Sequence, residues 1–310
     1  MNLQQLRYVQ ATVKFNLNLT EAANALYTSQ PGVSKQIRDF EEELGVEIFE
    51  RKGKRLTCIT EPGKEVVNII DRIVVELENL RKVADHFSMK DQGHFILATT
   101  HTQARYALPP AIQKFKEIYP KVHLALHQAS PTNIVKMLID GDADLGIATE
   151  ALENHPELIS FPCYEWSHIL IFPKGHPLEK VNEIDFNELA KYPLITYEPG
   201  FTGGSHIDEA FKKNNVSADI VLTAMDADVI KTYVELGMGV GIVASMAFNV
   251  DRDANLVSRE AKHLFGVNVT RLAIRKSSYL RDFILQFIAI FSPHLTADVV
   301  KKAFNGESVV

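Results

Sequence analysis

Apolar positions change their spacing several times along this chain, and each change marks a different kind of element. Leu6, Val9 and Val13 recur at helical intervals, which predicts a first helix over Leu3–Phe15. Ala22, Ala23 and Leu26 give the segment from Leu19 a small apolar face of the same period. After the turn Tyr27-Thr28-Ser29, Val33, Ile37 and Phe40 lie along one side of a third helix. Ser29 is placed to cap it, and Pro31 falls in its first turn, where a missing N–H costs nothing. The other side carries Gln30, Ser34, Lys35 and Arg38, groups able to reach base edges and phosphates in a major groove. Leu44-Gly-Val-Glu-Ile-Phe49 and Leu56-Thr-Cys-Ile-Thr60 then read as two strands. The basic turn between them, Arg51-Lys52-Gly53-Lys54-Arg55, is placed to touch sugar-phosphate. Taken singly, the helices are an ordinary amphipathic pair and the turn a solvated loop. Side by side they make a DNA-binding unit over residues 1–60.

From Pro62 to Phe87 the pattern is one long helix, and the stretch 61–88 reads as a linker. Val66, Ile70, Ile73, Leu77, Leu80 and Ala84 alternate spacings of four and three, a heptad seam. Val67, Val74, Val75 and Val83 widen the apolar face beyond one seam. The helix is either buried within a monomer or paired with a second chain, and its width favours the partner chain. Ser88-Met-Lys-Asp-Gln-Gly93 is a polar break and the expected hinge. Beyond it, short strands alternate with helices, which predicts α/β units with mostly parallel sheets. The strand Val267–Ile274 returns late, so residues 89–310 are expected to form two subdomains crossed twice by the chain. Their bounds are roughly 89–163 plus 267–310, and 164–266.

Composition narrows the class. The 310 residues are 46% hydrophobic and 23% charged, as in a soluble globular protein. Neither an apolar signal core at Met1-Asn-Leu-Gln-Gln nor a run of about 18 apolar residues occurs, so a cytoplasmic place is expected. Cys58 and Cys163 stand apart and outside any metal-binding spacing. Net charge is −6, yet residues 1–60 hold eight Lys/Arg against seven Asp/Glu, a balance of +1 that leaves −7 for the remainder. Charge is thus placed locally, with a basic hairpin tip, rather than spread.

Three predicted strands end in hydroxyl-rich turns: Ala98-Thr-Thr100-His-Thr102-Gln103, Gly146-Ile-Ala-Thr149, and Gly200-Phe-Thr202-Gly-Gly-Ser205. Threonine hydroxyls, glutamine amides and free N–H groups at helix starts hold an anion without a countercharge. Any one of these threonines reads equally as a helix cap; their recurrence is what suggests a site for a small oxyanion. Thr102 is expected to face the cleft rather than the core. Trp166, the only tryptophan, is either a wall of that cleft or a core residue. Enzyme signatures are missing. No G-x-S-x-G, phosphate-binding loop or G-x-G-x-x-G after a first strand occurs, and His123 and His127 on one strand would stand about 13 Å apart. A solute-binding component of a transport system is the rival class, opposed by the DNA-binding unit and the missing signal segment.

Leu6-Arg-Tyr8, Leu19-Thr-Glu-Ala-Ala23, Ser29-Gln-Pro-Gly-Val-Ser34, Leu44-Gly45, Phe49-Glu-Arg51 and Thr60-Glu-Pro-Gly63 together resemble the winged helix-turn-helix of LysR-type transcriptional regulators. Further segments, among them Ile147-Ala-Thr-Glu-Ala-Leu152, Pro162-Cys-Tyr164, Thr223-Ala-Met-Asp-Ala-Asp228 and Ser292-Pro-His-Leu-Thr296, resemble the CysB branch of that family over nearly the whole length. The resemblance implies an α/β fold with a winged helix-turn-helix, a linker helix that pairs two subunits, and a two-lobed effector domain like periplasmic binding proteins. It implies no cofactor. The expected partners are promoter DNA, contacted by Thr28, Ser29, Gln30, Pro31, Ser34, Lys35, Arg38, Arg51, Lys52, Lys54 and Arg55, a second copy, a homotetramer, and RNA polymerase. In the effector domain it implies sulfate or thiosulfate held by Thr100, Thr102, Gln103, Thr149 and Thr202. N-acetylserine or O-acetylserine would be the inducer, and the regulated genes those of sulfur assimilation and cysteine synthesis. A Cbl-like regulator of sulfonate use shares much of the pattern and stands beside it.

Overall fold

A computed structural model describes residues 1–53, 55–88, 92–153, 155–201 and 203–306. Lys54, Thr202 and part of the expected hinge, residues 89–91, lie outside them. The chain divides into two compact units, Met1–Ala84 and Asp85–Val310. Among the described residues no helix is long and apolar enough to cross a membrane.

In the first unit, α1 (Leu3–Lys14) and α2 (Leu19–Ala25) precede α3 (Gln30–Leu44), the hairpin β1 (Phe49–Lys52) and β2 (Arg55–Ile59), and α4 (Glu61–Ser88). Side chains cap the three short helices. Asn2 and Gln5 exchange bonds across the start of α1, Asn18 caps α2, and the Ser29 hydroxyl accepts from Gly32 N–H at 3.3 Å. The core gathers Leu6, Val9, Val33, Ile37, Phe40, Ile48 and Phe49, and Val67 and Ile70 from the start of α4 complete it. The first hairpin strand differs from the expected Leu44–Phe49. Leu44 still belongs to α3, which Gly45 ends in a left-handed conformation (φ +70°). The strand therefore begins at Phe49, and Arg51 and Lys52 lie in β1 and Arg55 in β2, on either side of Gly53.

The second unit has two lobes. The first holds β3 (Gly93–Thr99), α5 (Pro109–Ile118), β4 (Val122–Gln128), α6 (Pro131–Asp140) and β5 (Leu145–Ala148). The 16-residue β6 (Leu158–Pro173) then crosses to the second lobe. There follow α7 (Phe186–Leu189), β7 (Leu194–Tyr197), α8 (Gly204–Lys213), β8 (Ile220–Ala224), α9 (Ala227–Glu235), β9 (Val240–Ala244), β10 (Leu256–Glu260) and α10 (Lys262–Phe265). The strand β11 (Val267–Arg275) returns to the first lobe, which α11 (Asp282–Phe291) and α12 (Ala297–Phe304) complete. Phe95, Phe115, Phe283 and Phe287 pack edge to face in the first lobe's core. Leu170, Phe172, Ile207 and Phe211 anchor one face of the second lobe, and Ile171, Ile195, Ile230 and Val243 the other.

Within each lobe the sheet is parallel: β3 pairs with β4 and β5, and β7 with β8 and β9. The expectation of mostly parallel sheets fails at the crossing strands. There β11 pairs antiparallel with β5 and β6, and β6 antiparallel with β9 and β10. The N-terminal part of β6 hides from the sequence pattern because Pro162 and Glu165 interrupt its apolar run. Pro162 sits where the β6–β11 register shifts, a place that tolerates a residue with no N–H to give. Lobes of this kind place sites at the carboxyl ends of their parallel strands, beside the crossing pair.

Candidate DNA-reading surface and effector cleft

On the first unit, Ser29, Pro31, Lys35 and Arg38 of the α3 region are exposed, and Thr28, Gln30 and Ser34 half-buried. In the hairpin, Lys52 and Arg55 are exposed. Arg51 is different. Its guanidinium donates to the Glu41 carboxylate and to the Phe49 carbonyl at 3.3 Å, so much of its charge is met within the fold. Glu41 is 6% exposed and also accepts from the backbone N–H groups of Ile48 (2.8 Å) and Phe49 (3.0 Å). It ties the end of α3 to the start of the hairpin. In the sequence it is one of three consecutive acids, and nothing there singles it out.

In the second unit the strand-end residues are gathered and buried. Thr100 is 4% exposed, Thr102 0%, Gln103 2% and Thr149 5%. Because Thr99 of β3 lies opposite Ile147 of β5, Thr100 and Thr149 leave the sheet on neighbouring strands. Both residues are nearly buried there, each bringing a hydroxyl to its strand end. Thr102 is fully buried beside Tyr197 of the second lobe, whose hydroxyl oxygen accepts from Ala244 N–H at 3.1 Å. Burial pushes the Tyr197 phenol far up, keeping it neutral. Gln103 is held: its amide donates to Thr270 at 3.0 Å and its carbonyl accepts from Tyr164. Burial raises the Tyr164 phenol too.

Trp166 is 6% exposed, its ring set against His168, and it lines a cavity of about 580 Å³ with Tyr164, Ser245, Met246 and Lys262. Its burial fits the core role, while the cavity it lines includes none of the strand-end threonines. Above His168 the loop at Gly203 enters α8. A Cβ there would come within 2.8 Å of the imidazole, and the backbone is left-handed (φ +77°), so glycine is required.

Sequence reasoning missed a charged cluster at the same lobe boundary. Tyr106 donates to Asp228 at 2.8 Å, Arg105 Nε lies 2.5 Å from the same carboxylate, and Lys231 lies 3.4 Å away. Burial pushes the Asp228 carboxyl up, but Tyr106, Lys231 and Arg105 together hold it below its ordinary value. Lys231 also reaches Asp253 at 3.1 Å and the Ala247 carbonyl at 3.0 Å. His101, Asp226 and Asp228 approach within 4.8 Å of one another, yet Asp228 is already neutralised by its cations. The cluster joins β3's end to α9 across the two lobes. Single residues scattered over 130 positions gave no local pattern to find it by.

Residues 3–64 match the bacterial regulatory helix-turn-helix proteins of the lysR family, and residues 89–296 the LysR substrate binding domain. Such domains take small-molecule effectors. The chain is 56% identical over 295 residues to the HTH-type transcriptional regulator SsuR of Burkholderia cenocepacia, covering 95% of this chain and 96% of that one. It is 50% identical over 308 residues to the regulator CysB of the same organism, with 99% and 98% covered. A crystal structure of the cofactor-binding domain of the Cbl transcriptional regulator superposes with a TM-score of 0.66 at 42% identity, covering 69% of this chain and 93% of that one. These relatives are DNA-binding regulators and not enzymes. The chain belongs to the LysR family of transcriptional regulators.

Proposed function

We propose that this regulator controls genes for sulfur acquisition and responds to a small sulfur oxyanion and an acetylated serine bound in the second unit. The observation that carries the reading is the pair Thr100 and Thr149. Two nearly buried threonines on neighbouring strand ends offer hydroxyl donors side by side, which suits an acceptor-rich anion. Gln103 accepts from Tyr164, which shares a cavity with Trp166, and Thr202 would add a further hydroxyl. Sulfate or thiosulfate would occupy the hydroxyl-lined end, and N-acetylserine or O-acetylserine would serve as inducer, as the resemblance to CysB-type regulators implies. A Cbl-like role in sulfonate use is the second reading. It is favoured by the higher identity to SsuR than to CysB, and by the Cbl domain likeness.

On DNA, Ser29, Gln30, Ser34, Lys35 and Arg38 would read the major groove, while Lys52, Lys54 and Arg55 anchor the sugar-phosphate. Arg51 contributes mainly through the fold. The chain would act in the cytoplasm as a dimer paired through α4, assembled into a tetramer, and would engage RNA polymerase at activated promoters. Footprinting on the DNA upstream of its own gene, with and without N-acetylserine and thiosulfate, tests the whole reading. A protected segment whose extent changes with either compound is expected. Protection indifferent to every sulfur compound would leave a LysR-type regulator with a different effector.

A further inference from the structure

The turn between α2 and α3 is built on a backbone shape that its sequence does not suit. Leu26 ends α2, and the next two residues close the turn: Tyr27 N–H donates to the Asn24 carbonyl (3.1 Å) and Thr28 N–H to the Ala23 carbonyl (2.9 Å). This pair of bonds requires a left-handed residue directly after the helix end, a position that glycine or asparagine fills at least cost. Here it is Tyr27, at φ +53°. A large aromatic side chain in that conformation is normally retained because the ring packs. The Tyr27 ring does not: it is 98% exposed, the most exposed of the large hydrophobic residues described. The fold therefore carries a strained backbone for a side chain from which it draws no packing.

Its location offers a reason. Ser29, two residues on, caps α3, and Gln30, Lys35 and Arg38 of that helix are the residues assigned above to DNA. A ring held outside the protein at the entrance to α3 stands beside the first turn of the reading helix. Its phenol carries an O–H donor, and its faces are apolar. We infer that Tyr27 docks on the DNA backbone, packing its ring on a deoxyribose and donating its hydroxyl to a phosphate. Such a contact fixes the register of α3 on the duplex and carries no sequence information of its own. The inference rests on the DNA-reading role of α3 and adds a contact that the turn's strain exists to present.

The test uses the full-length chain with two probes: a duplex enriched by the wild type from a random-sequence library, and an unenriched random duplex of equal length. Tyr27→Gly and Tyr27→Asn suit the left-handed backbone, so their melting temperatures should equal or exceed the wild type's. Both should bind both duplexes roughly tenfold more weakly, the scale of one hydrogen bond to a charged group. Tyr27→Phe keeps the ring and should fall between them and the wild type. Unchanged DNA affinity in the glycine and asparagine variants would overturn the inference. So would a melting temperature that falls along with affinity, because the ring would then support the turn, or a changed assembly in sedimentation with affinity intact, because a second copy would then cover it. If the wild type itself enriches no duplex, the DNA-reading role of α3 fails, and the Tyr27 contact fails with it.

Discussion

Thr100, Thr102 and Thr149 are the same residue type at similar places, and their surroundings give them different work. Thr100 and Thr149 are nearly buried on neighbouring strand ends, whereas Thr102 is fully buried beside Tyr197 of the second lobe. The sequence pointed to all three by their place at strand ends. It could not separate them, because Tyr197 lies 95 positions away and only the fold brings it over. Thr102→Ala should therefore lower stability, against the expectation of a hydroxyl facing the cleft. Truncating a fully buried side chain costs about 0.5–3 kcal/mol. Urea unfolding should show the loss in the transition of the second unit, and an unchanged midpoint would return Thr102 to the cleft. Glu41 makes the same point about acids. In the sequence it belongs to a solvated run, while in the fold it is a buried acceptor for two N–H groups and Arg51.

Elements were more legible than residues wherever periodicity and turn chemistry agreed. The strand Val267–Ile274 is read directly from its apolar run, and α3 from Ser29 and its apolar stripe. Elements interrupted by polar residues were not: the first half of β6, all of β10 and α12 were missed. The linker helix shows where a single period hides two roles. Val67 and Ile70 are buried in the core of the first unit and Ile73 packs against it, whereas Leu80 is 66% and Phe87 75% exposed. Ile73→Asp would thus unfold the first unit instead of testing assembly. Leu80→Asp is the cleaner probe. It should yield smaller species in sedimentation while the melting of the first unit stays within about 0.5 kcal/mol of wild type, as for surface changes. Unchanged assembly would place the subunit contact elsewhere than the end of α4.

At the scale of the molecule, the second unit's lobes are joined by the two crossing strands and by the Arg105, Tyr106, Asp228 and Lys231 cluster. Asp228 sits below its ordinary value of 3.8, so its folded form favours the charged state. The stability it lends is complete above that value and is lost as pH falls through the lower folded value. Arg105 and Lys231, both raised, stay charged throughout that window. The acid limb of wild-type unfolding should therefore be shallower in Asp228→Asn, measured by melting temperature between pH 5 and 3. Identical limbs would remove Asp228 as a contributor. The link between the lobes matters because the proposed effector lies between them, held by the threonine hydroxyls. The most direct test is calorimetric titration of the full chain with thiosulfate, comparing the wild type with Thr100→Val and Thr149→Val. Each variant keeps its shape and loses a donor, so affinity should fall roughly tenfold or more while the unfolding midpoint holds. Equal affinity in all three proteins would take the anion away from these strand ends.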